Sequence, residues 1–259
     1  MSLPFLSAEH AQAFILVLLR VSALVTTMPV FSERTVPPTI KASLSIIISV
    51  ILFPVVVSKI PPLAQLHFLE LLFLMIGEVL IGVTIGFASR LVFAAIQLAG
   101  NIIGFQMGFA IVNVIDPMTS SQVSIIAEFQ YLIAMLLFLT VNAHHLFFSA
   151  IAQSYEFIAP LGFHFSGQLM QAIFDVSKEM FVIALKIGAP IMAVMLFTNV
   201  GLGVVARTVP QMNIFIVGFP LQISMGLIFL GFTTPLFIRT LTGMFAGMEG
   251  KIITLLRLM

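Results

Sequence analysis

Long apolar stretches, separated by charged or proline-rich breaks, run along the whole chain. About 20 apolar residues in a helix cross the hydrocarbon core of a bilayer, and four charge-free stretches reach that length: 91–115, 129–155, 187–206 and 208–238. Three further apolar segments are interrupted by a proline or by charged residues: 11–30, 42–58 and 68–88. The pattern predicts an all-α protein made of membrane-associated helical hairpins.

Polar and proline-rich breaks predict the positions of the loops. They fall at 32–38, 59–62, 116–122 and, as a longer and more polar stretch, 156–179. Pro190 and Pro220 lie inside apolar stretches, where a proline removes a backbone donor, so both predict kinked helices. After Pro235 the chain becomes mildly amphipathic, which predicts a tail at a membrane interface.

The composition excludes a water-soluble surface. Only 8% of the residues are charged and 60% are hydrophobic, whereas a soluble domain carries about 25% charged residues. The net charge of +1 and the lack of a Lys/Arg cluster argue against nucleic acid as a partner. The absence of cysteine excludes disulfides and thiolate chemistry. Basic residues are spread almost evenly, so the positive-inside rule predicts no orientation.

Five charged residues sit inside apolar segments: Arg20, Glu70, Glu78, Glu128 and Lys186. Each costs about 2.5 to 3.5 kcal/mol at a bilayer centre, so each must be paired, hydrated or outside the hydrocarbon. One interpretation is an ion relay in which Glu78 and Glu128 carry protons beside Lys186. The favoured alternative is that the charges form ion pairs between helices or mark segment ends. Glu78 shares a helix face with Gly82 and Gly86, which predicts that it points into a helix contact.

A glycine stripe precedes the least regular apolar segment. Gly100, Gly104 and Gly108 recur every four residues, and the first two predict close packing against another helix. Gly108 opens an apolar stretch, 108–115, rich in β-branched residues and followed by Asp116-Pro117, which disfavours a helix. Non-helical backbone at membrane depth is tolerated only inside protein or beside a cavity. This stretch is therefore predicted to be buried in an assembly or to line a pore.

Motifs for catalysis are absent from the sequence. No phosphate-binding loop, His-Glu-x-x-His zinc motif or Gly-x-Ser-x-Gly elbow occurs. His144 and His145 are adjacent and cannot share a metal as a pair spaced by four residues could. The sequence predicts neither an enzyme nor a cofactor.

Three segments carry a resemblance to a known family. They are 99–110 leading to Asp116-Pro117, 136–139 followed by Asn142-Ala143-His144, and Leu202-Gly203 followed by 207–220. In order, spacing and total length the chain resembles the FliR family, the R subunits of flagellar and virulence type III export gates. Asn101 departs from the acid that many relatives have between the two glycines, which argues against a proton-carrying role there.

The resemblance implies a place in the bacterial inner membrane, within the flagellar basal body. One copy would join several P-type and Q-type subunits, with residues 1–175 similar to the P subunit and residues 176–259 similar to the Q-subunit hairpin. It also implies an FlhB-type switch subunit and the large export-gate subunit as partners, with membrane lipid around them and unfolded flagellar proteins as substrates. A free-standing ion-coupled transporter and the R subunit of a virulence system remain the alternatives.

The resemblance also implies roles for particular residues. The loop 106–122 would plug a central pore, through Phe105, Gln106, Met107, Gly108, Phe109, Ile111, Val112, Asn113, Val114, Ile115, Asp116 and Pro117. Helix packing and subunit assembly would use Gly100, Gly104, Arg207, Pro210, Gln211, Asn213, Phe215, Gly218, Phe219 and Pro220. A ring of apolar side chains can close a pore to water and ions by dewetting.

Overall fold

The computed structural model describes residues 8–33, 35–60, 68–109, 124–158 and 162–259. These residues form seven α-helices and one short 3₁₀ turn, Val57–Lys59, and none of them lies in a strand. The helices are α1 (Ala8–Thr27), α2 (Pro38–Val56), α3 (Phe68–Gln106), α4 (Ile125–Thr140), α5 (His144–Phe157), α6 (Gly167–Thr208) and α7 (Ile214–Arg257). The all-α prediction is confirmed.

Five of the described helices are long and apolar enough to cross a membrane: α1, α2, α3, α6 and α7. The number rises to six if α4 and α5, which are bent by 63° where they meet, form one broken span. The protein is therefore of the membrane class, as its composition predicts. Helix α6 has 42 residues, about 63 Å at 1.5 Å per residue, roughly twice the hydrocarbon thickness. An upright, straight α6 would extend well beyond the lipid core.

Helix boundaries differ from the prediction in three places. Segments 68–88 and 91–106 join into α3 because Ser89 and Arg90 do not interrupt it; the Ser89 hydroxyl donates to the Gly86 carbonyl at 2.7 Å. The apolar stretch 129–155 is instead broken after α4, where Asn142 adopts a positive φ of 55°. The loop predicted over 156–179 is wrong at 156–157, which end α5, and from residue 167 onward. That stretch is helical, and Ser166 caps its start by accepting a bond from Leu169 N at 3.1 Å.

The predicted break at 32–38 is confirmed, whereas the kinks at Pro190 and Pro220 and the interfacial position of the tail stay predictions. A turn follows α1, and α2 begins at Pro38, where a proline needs no helical donor. Pro190 lies inside α6, and Pro220 and Pro235 lie inside α7. The break at 116–122 lies outside the described residues, as does part of the break at 59–62. The tail after Pro235 is helical, and it buries Phe245, Met248, Ile252, Leu255 and Leu256.

The chain divides into two compact units, each assembled from separate stretches. The first unit comprises Met1–Leu91, Asn142–Val176 and Phe245–Met259, and the second comprises Val92–Val141 and Ser177–Met244. One border falls between Val176 and Ser177, one residue after the boundary predicted between a P-like and a Q-like part. That boundary concerns likeness to other subunits rather than compactness, so it stays a prediction.

Candidate functional site

A buried ion pair holds three helices of the first unit together. Arg20 of α1 is fully buried and Glu78 of α3 is 3% exposed. The guanidinium donates twice to this carboxylate, from Nε to Oε2 at 2.5 Å and from Nη2 to Oε1 at 3.0 Å. On α5, Ser154 Oγ accepts from Arg20 Nη1 at 2.9 Å, and the Tyr155 ring centroid lies 3.9 Å from Arg20 Cζ. The charge is thus paired, hydrogen-bonded and stacked, as a buried arginine requires.

Two glycines of α3 allow this ion pair to form. A Cβ at Gly82 would lie 2.8 Å from the Ala23 Cβ and would overlap the Arg20 carbonyl oxygen. At Gly86 a Cβ would overlap the Thr27 hydroxyl. The backbones of α1 and α3 therefore approach closely on the helix face that carries Glu78. The prediction that Glu78 points into a helix contact is confirmed.

The other three charges are not buried by this chain. Glu70 and Glu128 are exposed and lie in the first turns of α3 and α4, where the helix dipole favours an acid. Lys186 is exposed in the middle of α6. Of the five charged residues named from the sequence, Arg20 and Glu78 are buried within the chain, whereas the other three face away from its core. Glu78 is paired with Arg20, which favours the ion-pair interpretation over a relay beside Lys186.

The first residues of the predicted plug form a defined helix end in the second unit. Helix α3 stops at Gln106, and Gly108 adopts φ +86°. Gly108 N donates to the Phe105 carbonyl and Phe109 N to the Gly104 carbonyl, both at 3.1 Å. This pair of bonds is the Schellman motif, in which a glycine in the left-handed region ends a helix. Plug residues Ile111, Val112, Asn113, Val114, Ile115, Asp116 and Pro117 lie outside the described residues.

Met107 anchors this helix end in an apolar core. It is fully buried, in one cluster with Ile103 of α3, Ile126 of α4, and Ile191 and Met195 of α6. Phe109 and Leu230 of α7 pack against the same cluster. Four helices thus meet around one side chain. Phe105, in contrast, is 71% exposed.

The stripe of Gly100 and Gly104 faces α4. A Cβ at Gly100 would overlap the Ala127 backbone, and one at Gly104 would overlap the Ser124 hydroxyl. Ser124 caps α4 by accepting a bond from Ala127 N at 3.5 Å. The two glycines therefore lie in a helix contact within the chain. Their part in subunit assembly stays a prediction.

The other predicted assembly residues lie in the turn between α6 and α7 and in the helix ends on either side of it. Arg207, Pro210, Gln211, Asn213 and Pro220 are exposed, Phe219 is half-buried and Gly218 is buried; the Phe215 side chain lies outside the described part. Beside the turn is an open groove of about 260 Å³, lined by Asn199, Leu202, Gly203, Ala206, Gly218, Phe219 and Gln222. Asn199 Oδ1 accepts a bond from Gln222 Nε2 at 2.6 Å across it. The sequence interpretation missed this pair, because nothing in an apolar run marks two amides as neighbours.

Large apolar side chains cover the outer faces of α6 and α7. Phe197 is 74% exposed, Ile216 69% and Phe232 76%. Apolar surface of this extent needs lipid or protein around it. Together with the five helices of membrane-spanning length and the paired interior charge, this surface defines the class: a polytopic helical membrane protein with faces left for lipid or partners.

Comparison with known proteins gives the family within that class. Residues 11–248 match the family described as Bacterial export proteins, family 1, and the chain belongs to this family. It is 40% identical over 223 residues to the "Flagellar biosynthetic protein FliR" of Bacillus subtilis (strain 168), covering 84% of each chain. Proteins of the same name from Escherichia coli (strain K12) and Aquifex aeolicus (strain VF5) are 32% identical over 219 residues and 29% identical over 239 residues. These alignments cover 85% and 92% of this chain, and 83% and 92% of the relatives. The resemblance to the FliR family is confirmed.

Proposed function

We propose that this protein is the R-type core subunit of the flagellar type III export gate, through which unfolded flagellar proteins cross the bacterial inner membrane. Membership of the export family over residues 11–248 supports this proposal, as do relatives named for flagellar biosynthesis. P-type and Q-type subunits would cover the exposed apolar faces, with the P-like part at 1–175 and the Q-like part at 176–259. The FlhB-type switch subunit and the large export-gate subunit would complete the machine in the basal body.

One observation carries the closure mechanism: the segment that follows α3 starts from a fixed point. The Schellman bonds at Gly108 and the buried Met107 hold the end of α3. From Phe109 onward the sequence is free of charge until Asp116. A segment with an anchored base and apolar side chains is suited to stop a narrow pore. It would exclude water and ions by dewetting, while a substrate chain could displace it.

The test is a replacement of residues 108–115 by a flexible Gly/Ser stretch of equal length in cells that carry the complete export gene set. We expect a resting ion leak across the cell membrane, because a polar segment would no longer dewet the pore. The matched control keeps Gly108 and shuffles the order of residues 109–115, which preserves length and apolar character and should not leak. Co-purification with the other subunits verifies assembly. Unchanged permeability in the assembled Gly/Ser variant would contradict the plug assignment.

Flux measurements on the purified chain separate this proposal from the transporter alternative. An ion-coupled transporter would retain its flux when the purified chain is placed alone in vesicles. A gate subunit is expected to show no coupled flux there and to require its companions for a stable particle. Coupled flux by the isolated chain would favour the transporter.

A further inference from the structure

Met107 sits in a notch that a single glycine leaves open on α7. A Cβ built at Gly226 would lie 2.5 Å from Met107 Cγ, 2.7 Å from Sδ and 2.6 Å from Cε. Gly226 is buried and Met107 has no exposed surface. Because all three outer atoms of Met107 occupy the place of the missing side chain, the two residues fit as a knob in a hole. A side chain at position 226 therefore requires Met107 to move, within a closely packed core that leaves it little free space.

A second contact supports the same helix end one residue further along. A Cβ at Gly108 would lie 3.0 Å from Phe219 Cδ1 and 3.3 Å from Gln222 Oε1. Gln222 is in turn held by its 2.6 Å hydrogen bond to Asn199 of α6. The base of the segment that begins at Gly108 therefore lies against α7 at two positions one helix turn apart. Met107 packs against Gly226, and Gly108 lies beside Gln222.

We infer that Gly226, with Gln222 and Asn199 behind it, is the positioning site for the base of the plug and sets how firmly the closed state is held. The inference rests on the proposed function, and it assigns the controlling contact to α7 rather than to the plug itself. A fixed base limits the positions that the apolar residues after it can reach. Loosening the base should release the closed state even when every plug residue is unchanged.

The first test is Gly226→Ala in the complete assembly. The added Cβ must displace Met107, and we expect the resting ion leak to rise about tenfold, which corresponds to about 1.4 kcal/mol and lies within the range found for overpacked cores. The matched control is Gly231→Ala on the same helix, where a Cβ meets no atom within 4 Å, and it should leave the leak unchanged. Equal leaks in the two variants, with equal assembly, would overturn the inference.

A compensating change separates positioning from general destabilisation. In the double variant Met107→Ala/Gly226→Ala the new Cβ occupies part of the space that the methionine vacates. We expect its leak to be smaller than the sum of the two single effects, since residues in contact are non-additive. Additive effects would show that the two residues do not act as one contact.

A cross-link tests the site if Gly226→Ala fails to assemble. The chain contains no cysteine, so Met107→Cys with Gly226→Cys introduces a single thiol pair. Oxidation with diamide should form the disulfide, seen as loss of maleimide labelling of the chain once it is denatured, and should block export of flagellar proteins until a reductant restores it. The matched control places cysteines at Met107 and Gly231. Unchanged export by the oxidised Met107/Gly226 pair, or failure of that pair to form a disulfide, would overturn the inference.

These results are distinguishable from failure of the proposed function. If the Gly/Ser replacement of 108–115 leaks but Gly226→Ala does not, the plug stands and its positioning by α7 is wrong. If neither leaks in an assembled complex, the plug assignment itself is wrong.

Discussion

Removing Arg20 tests whether the buried ion pair holds the first unit together. The change Arg20→Met keeps an unbranched stem at this position but leaves the Glu78 carboxylate, 3% exposed, without its two charged hydrogen bonds. Breaking a buried ion pair by removing one partner costs about 3 to 5 kcal/mol. The variant also loses the bond to Ser154 and the stacking on Tyr155. Because a whole domain is stable by about 5 to 15 kcal/mol, a loss of this size is a large share of the total, and we expect less of the chain in membranes and a clear fall in heat stability.

The double variant Arg20→Met/Glu78→Leu should be far more stable than either single variant. Replacing both members of a buried pair by apolar residues of similar size is often neutral or stabilising. The Ser154 hydroxyl, which contacts the pair, would still donate to the Ile151 carbonyl at 2.7 Å, so the loss of both charges leaves it with a partner. We therefore expect the double variant to recover most of the stability lost in Arg20→Met. A change in side-chain volume alone would not produce this recovery, since the second substitution would add to the first.

The assay is the fraction of the assembled complex that survives heating in detergent, together with the amount of the chain in membranes. Glu128→Gln is the matched control, because Glu128 is exposed on this chain and surface substitutions usually change stability by less than about 0.5 kcal/mol. The reasoning is refuted if Arg20→Met behaves like this control. It is equally refuted if the double variant is as unstable as the single ones.

Two further substitutions test helix contacts in the second unit by the same heating assay. Gly100→Ala should destabilise by about 1 to 3 kcal/mol, since its Cβ would overlap the Ala127 backbone; Gly243→Ala, where a Cβ meets nothing within 4 Å, is the control, and an equal effect would contradict the close contact. Ser124→Ala removes the cap of α4 and should cost about 0.5 kcal/mol, the low end for a cap, because the capping bond is 3.5 Å long. A neutral Ser124→Ala would show that the cap contributes nothing.

Much of the fold follows from patterns that act over one or two helix turns. Apolar length predicts the membrane helices, and the spacing of Glu78, Gly82 and Gly86 predicts which face of α3 packs. The sequence does not predict the start of α6 at residue 167, because its polar residues are typical of a loop. The first turns of α6 bury few residues, and an exposed helix tolerates polar side chains. The break at Asn142 was missed because a single left-handed residue inside an apolar run leaves no periodic trace.

Long-range partners could not be read from the sequence. The sequence shows that Glu78 needs a partner, since an unpaired charge in apolar surroundings is costly, but it offers both Arg20 and Lys186. In the structure the partner is Arg20, because the close approach of α1 and α3 brings its Nε within 2.5 Å of Glu78 Oε2. In the same way, Gly226 and Gly231 lie on one apolar helix and look alike in the sequence. Met107 occupies the space beside Gly226, whereas a Cβ at Gly231 would meet no atom within 4 Å.

The distribution of burial shows which apolar helices still need lipid or another protein around them. In the most apolar part of α1, 44% of the residues are buried within the chain, against 11% in α7. Composition alone predicts that the chain cannot face water, but it does not say which helices are covered by the protein itself. Since α7 also presents Gly226 to Met107, any companion that packs on its exposed side would press on the helix that positions the base of the plug. Assembly and closure would then be coupled through one helix, because a shift of α7 against a companion would also move Gly226 against Met107.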